Sequence, residues 1–144
     1  MALLRIAHIP PPVIDPNASV QDAVGAMSRD RVGALAVVEK AVMRGIFTER
    51  DVMLRVVNLG RDPRATLVRD VMTAEVKTVT DATSLEDAIE VMLDGHLRHL
   101  PVIDGGGGIL GMLSIRAVLE EKMQDLSRAV DSLEQYMAND GPGG

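Results

Sequence analysis

The sequence predicts an α/β fold: two tandem β-α-β-β-α repeats packed sheet to sheet with pseudo-two-fold symmetry, then a long C-terminal helix. Three observations predict it. A segment recurs at an offset of 65 residues, helix and strand signatures follow in the same order in both copies, and an apolar heptad runs through the last helical stretch. A single β-α-β-β-α unit is too small to bury a core by itself, so the two copies should share one body.

The recurrence is clearest where Ser19–Lys40 is set against Ser84–Gly105. Identities fall at Ser19/Ser84, Asp22/Asp87, Ala23/Ala88, Met27/Met92, Leu35/Leu100 and Val37/Val102, with aliphatic exchanges at Val20/Leu85, Val24/Ile89 and Val38/Ile103. Each copy opens on a short extended stretch, "PPVIDP" or "VKTVTD". A serine then caps a helix, and an aspartate at its third position suits the positive helix end in a box-like cap. Val20, Ala23, Val24 and Met27, like Leu85, Ala88, Ile89 and Met92, have the 3-4 spacing of one buried stripe. A β-rich run follows, "VGALAVVE" or "LRHLPVID", then a turn, a second strand in "GIFT" or "GILGMLS", and a second helix in "ERDVMLRVVNLG" or "IRAVLEEKM".

Between the copies, "GRDPRATLVRDVMT" begins with the Gly, Asp and Pro of a linker and ends on an apolar segment that resumes the fold. The expected division is residues 1–66 for the first repeat and linker, 67–122 for the second repeat, and 123–144 for a helical extension with a frayed "DGPGG" tail. Leu119, Met123, Leu126, Val130, Leu133 and Met137 are spaced 4-3-4-3-4, a seam that packs against another helix. Either the helix folds back on its own domain or a second copy covers it, and the second is the expected arrangement.

Composition narrows the function. Lys+Arg 15 against Asp+Glu 21 gives a net charge of -6, and with one Phe, one Tyr and no Trp the chain offers neither a broad basic face nor base-stacking platforms. No nucleic acid is expected as partner. The absence of cysteine removes thiolate metal sites, and His8, His96 and His99 lack metal-ligand spacing. No apolar run is long enough for a signal peptide or a membrane span, so a cytoplasmic protein without a membrane partner is expected. No hydroxyl has the paired His and Asp of nucleophilic catalysis, so no enzyme is expected. "DGGGGILG" resembles a phosphate loop but joins two strands and opens no helix, which makes it a hairpin turn.

The informative chemistry sits in "GIFTERD", Gly45–Asp51, whose counterpart is "GMLSIRA", Gly111–Ala117. A strand ending at Thr48 and a helix beginning there place the Thr48 hydroxyl, the Asp51 carboxylate and the free helix N–H groups around one small volume. A carboxylate only accepts hydrogen bonds and so suits a diol, while hydroxyl and N–H donors suit phosphate oxygens. On spacing alone, helix capping is an equally good account of the pair.

"GIFTERD", "RHLPVID", the connector "VRDVMT" and the doubled β-α-β-β-α pattern together resemble a tandem CBS-domain protein, a stand-alone Bateman module, over roughly residues 9 to 120. The resemblance implies a regulatory module binding an adenosine nucleotide, AMP, ADP or ATP, between the repeats, with no cofactor required. It implies ribose on Asp51 beside Thr48, phosphate on Arg98, His99 and Arg116, and adenine among Ile46, Val76, Thr78 and Leu97. His99 would add charge only when protonated. Arg116 solvated at a helix start, His99 packed in a strand and Leu97 in the core remain open alternatives. At the mirror site Ser114 is kept, but Ala117 offers no ribose acceptor and Gly33 and Ala34 no charge. Only Arg50 is left there to reach a phosphate, so that site is expected to be weak or empty. The family also implies a homodimer through the CBS faces and the C-terminal helix, and a regulated protein downstream. The alternative is a constitutive dimeric interaction module with a vestigial cleft or one for NAD or S-adenosylmethionine.

Overall fold

The computed structural model describes residues 3–139; the "DGPGG" tail lies outside them. After a short 3-10 turn at Leu3–Arg5, the chain forms β1 (Val13–Ile14), α1 (Val20–Asp30), β2 (Ala34–Glu39), β3 (Val42–Thr48) and α2 (Glu49–Asp51). The last of these runs directly into a π-helical segment, Val52–Val57. The second half forms α3 (Val68–Val71), α4 (Leu85–Asp94), β4 (His99–Ile103), β5 (Ile109–Ser114) and α5 (Ile115–Asn139). β1 runs parallel to β2, which pairs antiparallel with β3; β4 and β5 form the antiparallel hairpin of the second sheet.

The repeat is realised with two departures. In the second copy "VKTVTD" contributes only a bridge from Val79 to Val102, where the first copy has the two-residue strand β1. The second helix of the first copy is not a regular α-helix. Over Val52–Val57 the turn is wider, with Asn58 N–H reaching Met53 O and Arg61 N–H reaching Val56 O, each five residues back.

Ser19 and Ser84 cap α1 and α4 by accepting from the amides of Asp22 and Asp87, each at 3.0 Å. The two predicted stripes enter separate cores. Val20, Ala23 and Met27 pack with Leu35, Val37, Phe47, Val56, Val68 and Val71; Leu85, Ala88 and Met92 pack with Leu3, Leu100, Val102, Leu113 and Val118. A third cluster, Ala34, Ala36, Ile46 and Met112 with Val76 packed against it, draws on both sheets and joins the copies.

The two cores exchange segments. Val68 and Val71, from the segment that introduces the second copy, complete the first core. Leu3, at the start of the first copy, is fully buried in the second core. Each arm then crosses the sheet of the opposite copy, where Thr73 bridges Ile46 and His8 bridges Met112. This crossing explains the glycine shared by "GIFT" and "GMLS": a Cβ on Gly45 would stand 2.6 Å from Thr73 O, and one on Gly111 would stand 2.9 Å from Ala7 Cβ. Such contacts exclude any side chain unless the arm moves.

The hairpin reading of "DGGGGILG" holds. Asp104 accepts from the amides of Gly106 and Gly108, an Asx-type turn, and Gly107 supplies a φ of 84° that favours glycine.

Candidate functional site

Alternation along β3 sets the site. Ile46 faces the cluster between the copies, Phe47 faces the first core, and Thr48 ends the strand at the corner. Thr48 has extended backbone, φ -122° and ψ 166°, and caps the helix that begins at Glu49. Its Oγ1 accepts from Asp51 N–H at 3.3 Å, and its own N–H donates to Asp51 Oδ2 at 3.0 Å. This reciprocal box satisfies two helix-end donors at once.

Asp51 does more than cap. Its carboxylate, 5% exposed, accepts a hydrogen bond from Thr73 Oγ1 at 3.0 Å, and Arg55 Nε lies 3.7 Å from Oδ1. Arg55 in turn donates to Met72 O at 2.8 Å. Thus one buried carboxylate ties the first copy's corner to the arm that leads into the second. Sequence reasoning missed both partners. Arg55 had a signal, an opposite charge four residues after Asp51; Thr73 had none, since only the arm's crossing brings it there.

The other predicted residues spread over the cleft. Ile46 and Val76 meet in the cluster between the copies, and Thr78 is half-buried further along the same arm. Leu97 packs against the second core. Arg98 is exposed, with its carbonyl accepting from Ile115 N–H at 2.8 Å. Arg116 is 86% exposed and pairs with Glu120 at 2.9 Å along its own helix. His99 is half-buried beside Gly33 and Glu49: a Cβ on Gly33 would meet His99 Cε1 at 3.0 Å and Glu49 Oε1 at 3.3 Å. Burial pushes the His99 imidazole below the ordinary histidine range; Glu49 opposes this and Arg98 reinforces it. The ring is therefore neutral at neutral pH and offers one N–H donor.

A cavity of about 260 Å³ opens on the other side of the cleft, lined by His8, Arg31, Gly33, His99, Met112 and Ser114 among others. Of the nine residues assigned to the nucleotide, it takes in His99 alone. It occupies the mirror position, where Ser114 Oγ accepts from Ala117 N–H at 3.1 Å as Thr48 does from Asp51. The two corners correspond closely, for Glu49 N–H donates to Gly33 O as Ile115 N–H donates to Arg98 O.

The sequence profile of the CBS domain matches this chain twice, over residues 5–58 and 68–124. The chain belongs to the CBS-domain family. CBSX3, a mitochondrial CBS-domain protein of Arabidopsis thaliana, is 42% identical over 119 residues, 76% of this chain and 57% of that protein. YhcV, a CBS-domain protein of Bacillus subtilis, is 34% identical over 114 residues, 79% of this chain and 80% of its own length. Among solved structures, a putative signal-transduction protein with CBS domains from Burkholderia ambifaria superposes with a TM-score of 0.78 at 33% identity, covering 87% of this chain and 96% of that one. CBSX2, solved in complex with AMP, superposes with a TM-score of 0.73 at 26% identity, covering 85% and 96%. A pair of CBS domains is a regulatory module, and the fold here is that of such a pair. Among the described residues no helix is long and apolar enough to cross a membrane, and no three His, Asp or Glu side chains group as metal ligands would.

Proposed function

We propose that this CBS pair senses an adenosine nucleotide, AMP, ADP or ATP, at the Asp51 corner and signals its occupancy by a change in how the two copies sit together. The observation that carries the reading is the Asp51 carboxylate: it is buried, fixed by Thr48, and bonded through Thr73 to the arm of the other copy. A diol that competes with Thr73 for this carboxylate alters the link between copies, which gives the ligand the differential contact that a switch requires. A relative of the same fold held AMP when its structure was solved, which supports an adenosine ligand. Ile46 and Val76 supply an apolar surface for the base, and Arg98 and Arg116, both exposed, are free to swing toward phosphate once Arg116 leaves Glu120. Calorimetric titration with AMP, ATP, NAD and S-adenosylmethionine tests this directly. Saturable heat with AMP or ATP is expected; NAD or S-adenosylmethionine alone would redirect the site, and silence from all four would leave the chain a constitutive interaction module.

The dimer belongs to the same reading. On α5, Leu126, Val130, Leu133 and Met137 are 53–63% exposed, so the helix does not fold its seam back on its own domain. A helical stretch of this length without tertiary contact is marginal in water, and the seam is self-complementary to a second copy. Light scattering on the intact chain is expected to give the mass of a dimer, and Leu126→Glu combined with Leu133→Glu is expected to lower it. An intact chain that scatters as a monomer at high micromolar concentration removes the second copy from the proposal.

A further inference from the structure

The cavity at the mirror position has a chemistry of its own, and it differs from the Asp51 corner residue by residue. Where Thr73 crosses the first sheet, His8 crosses the second. Where Thr48 and Asp51 stand, Ser114 and Ala117 stand. The exchange removes the carboxylate that would hold a sugar diol and adds an imidazole. The first-repeat strand β2 contributes no charge here, but Arg31, three residues before it, lines the cavity.

We propose that this cavity is a separate binding site for a tetrahedral oxyanion of the phosphate class, held by Arg31, His8, His99 and Ser114, and that it takes phosphate without a nucleoside.

Arg31 is exposed and, like Arg50, Arg61, Arg64 and Arg98, has neither an ion pair nor a side-chain hydrogen bond among the described residues; of these five it is the one that lines the cavity. Its guanidinium presents a planar fork of donors, the geometry that suits phosphate oxygens. It also occupies the left-handed C-cap of α1, φ 54°, a place where glycine or asparagine is the usual choice. His96 fills the equivalent corner at φ 52°, so the fold demands the turn while the sequence selects the cation.

The remaining groups act as donors. Ser114 Oγ uses an acceptor lone pair on Ala117 N–H, which leaves its O–H to donate outward. His99, neutral through burial, has an N–H to give. Behind Ser114 begins α5, 25 residues long, with the positive end of its dipole at this corner. No carboxylate lines the cavity; Glu49 touches the space beside His99 and Gly33 without entering the lining. Size points the same way, since about 260 Å³ falls below the range of roughly 300–1,000 Å³ usual for pockets that enclose a drug-sized ligand. A nucleoside brought here would find no acceptor for its ribose.

Proton–carbon NMR of the histidine rings in the full chain tests the site. Inorganic phosphate at constant ionic strength is expected to shift the His8 and His99 ring signals saturably in the millimolar range and to leave His96 in place. Arg31→Gly removes the cation while easing the left-handed corner, so the variant folds at least as well, and phosphate affinity is expected to fall about 10-fold or more. Asp51→Asn is expected to leave the phosphate response intact. In the Asp51→Asn chain, where the ribose site is disabled, adenosine is expected to leave both rings unshifted, and AMP to match phosphate within a few-fold at these two rings. An absent or non-saturating response to phosphate, an unchanged response in Arg31→Gly, or AMP bound far more tightly than phosphate at His8 in the Asp51→Asn chain overturns the proposal. The Asp51 reading stands apart from it, because AMP heat that depends on Asp51 is unaffected by any of these results.

Discussion

Asp51→Ala is expected to lose AMP binding by about 100-fold or more, measured by calorimetry under conditions where the unaltered chain saturates. Hydrogen bonds to a charged group contribute about 1.5–3 kcal/mol each, and a ribose diol makes two of them to one carboxylate. The same substitution removes a structural element. It deletes the capping box with Thr48, the bond from Thr73 and the charge facing Arg55. The cap alone costs about 1 kcal/mol, up to about 2. A lower melting temperature must therefore accompany the lost affinity, and the two effects have to be separated. Thr73→Val does so, for it deletes the hydroxyl that holds Asp51 Oδ1 at 3.0 Å and leaves the carboxylate in place. That variant is expected to melt lower but to keep or gain affinity for AMP, because a competitor for the carboxylate is gone. Unchanged AMP affinity in a destabilised Asp51→Ala chain would reduce Asp51 to a capping residue and move the ligand elsewhere.

Phe47→Ala is expected to cost about 3–5 kcal/mol of stability, the largest loss from any single truncation in this chain. Phe47 is the sole phenylalanine, is fully buried, and stands among Val20, Leu35, Val37, Val56, Val68 and Val71. Those neighbours are aliphatic and come from strands and helices that cannot collapse onto the space a ring leaves. For a chain near this size each kcal/mol moves the melting temperature by about 2–4 °C, so a fall on the order of 10 °C is expected by calorimetry. Leu113, its counterpart in the second core, should cost less when cut to alanine, about 2–5 kcal/mol, because less volume is removed. The loss at Phe47 should also reach the ligand. Val68 and Val71 are packed in the same core and anchor the arm that carries Thr73, so nucleotide affinity is expected to fall although Phe47 lies on the far face of β3 from Ile46. A melting temperature within 3 °C or so of the parent would show that the first core repacks around the missing ring.

Much of this molecule was legible in the linear chain. The recurrence at Ser19/Ser84, Ala23/Ala88 and Met27/Met92 marked two capped amphipathic helices, and all of these positions serve as read. Helix stripes and strand alternation are local periodicities, set by 3.6 and 2 residues per repeat, so a sequence displays them whole. The strand-to-helix corner was equally readable, since Thr48 and Asp51 are three residues apart and every helix start needs its donors satisfied.

What the chain could not display were contacts between residues distant along it. The exchange of arms places Leu3 in the second core and Val68 in the first, and no spacing rule connects Leu3 with Leu113 or Thr73 with Asp51. The register of an arm crossing a sheet is fixed by packing, and the glycines at Gly45 and Gly111 show where that crossing falls only after the fold is known. The same holds for charge. Arg31 sits outside the strand that sequence reasoning searched for cations, yet the left-handed turn after α1 carries it to the mirror cavity, while Arg116 pairs with Glu120 on its own helix. Sequence by itself determined the two repeats, their caps and the carboxylate that only one of them kept, because each depends on neighbours within a few residues. Which arm closes which core, which side of the cleft holds the open cavity, and which cations face it were decided by the tertiary structure, since long side chains and crossing segments go where packing and opposite charge across the fold are satisfied.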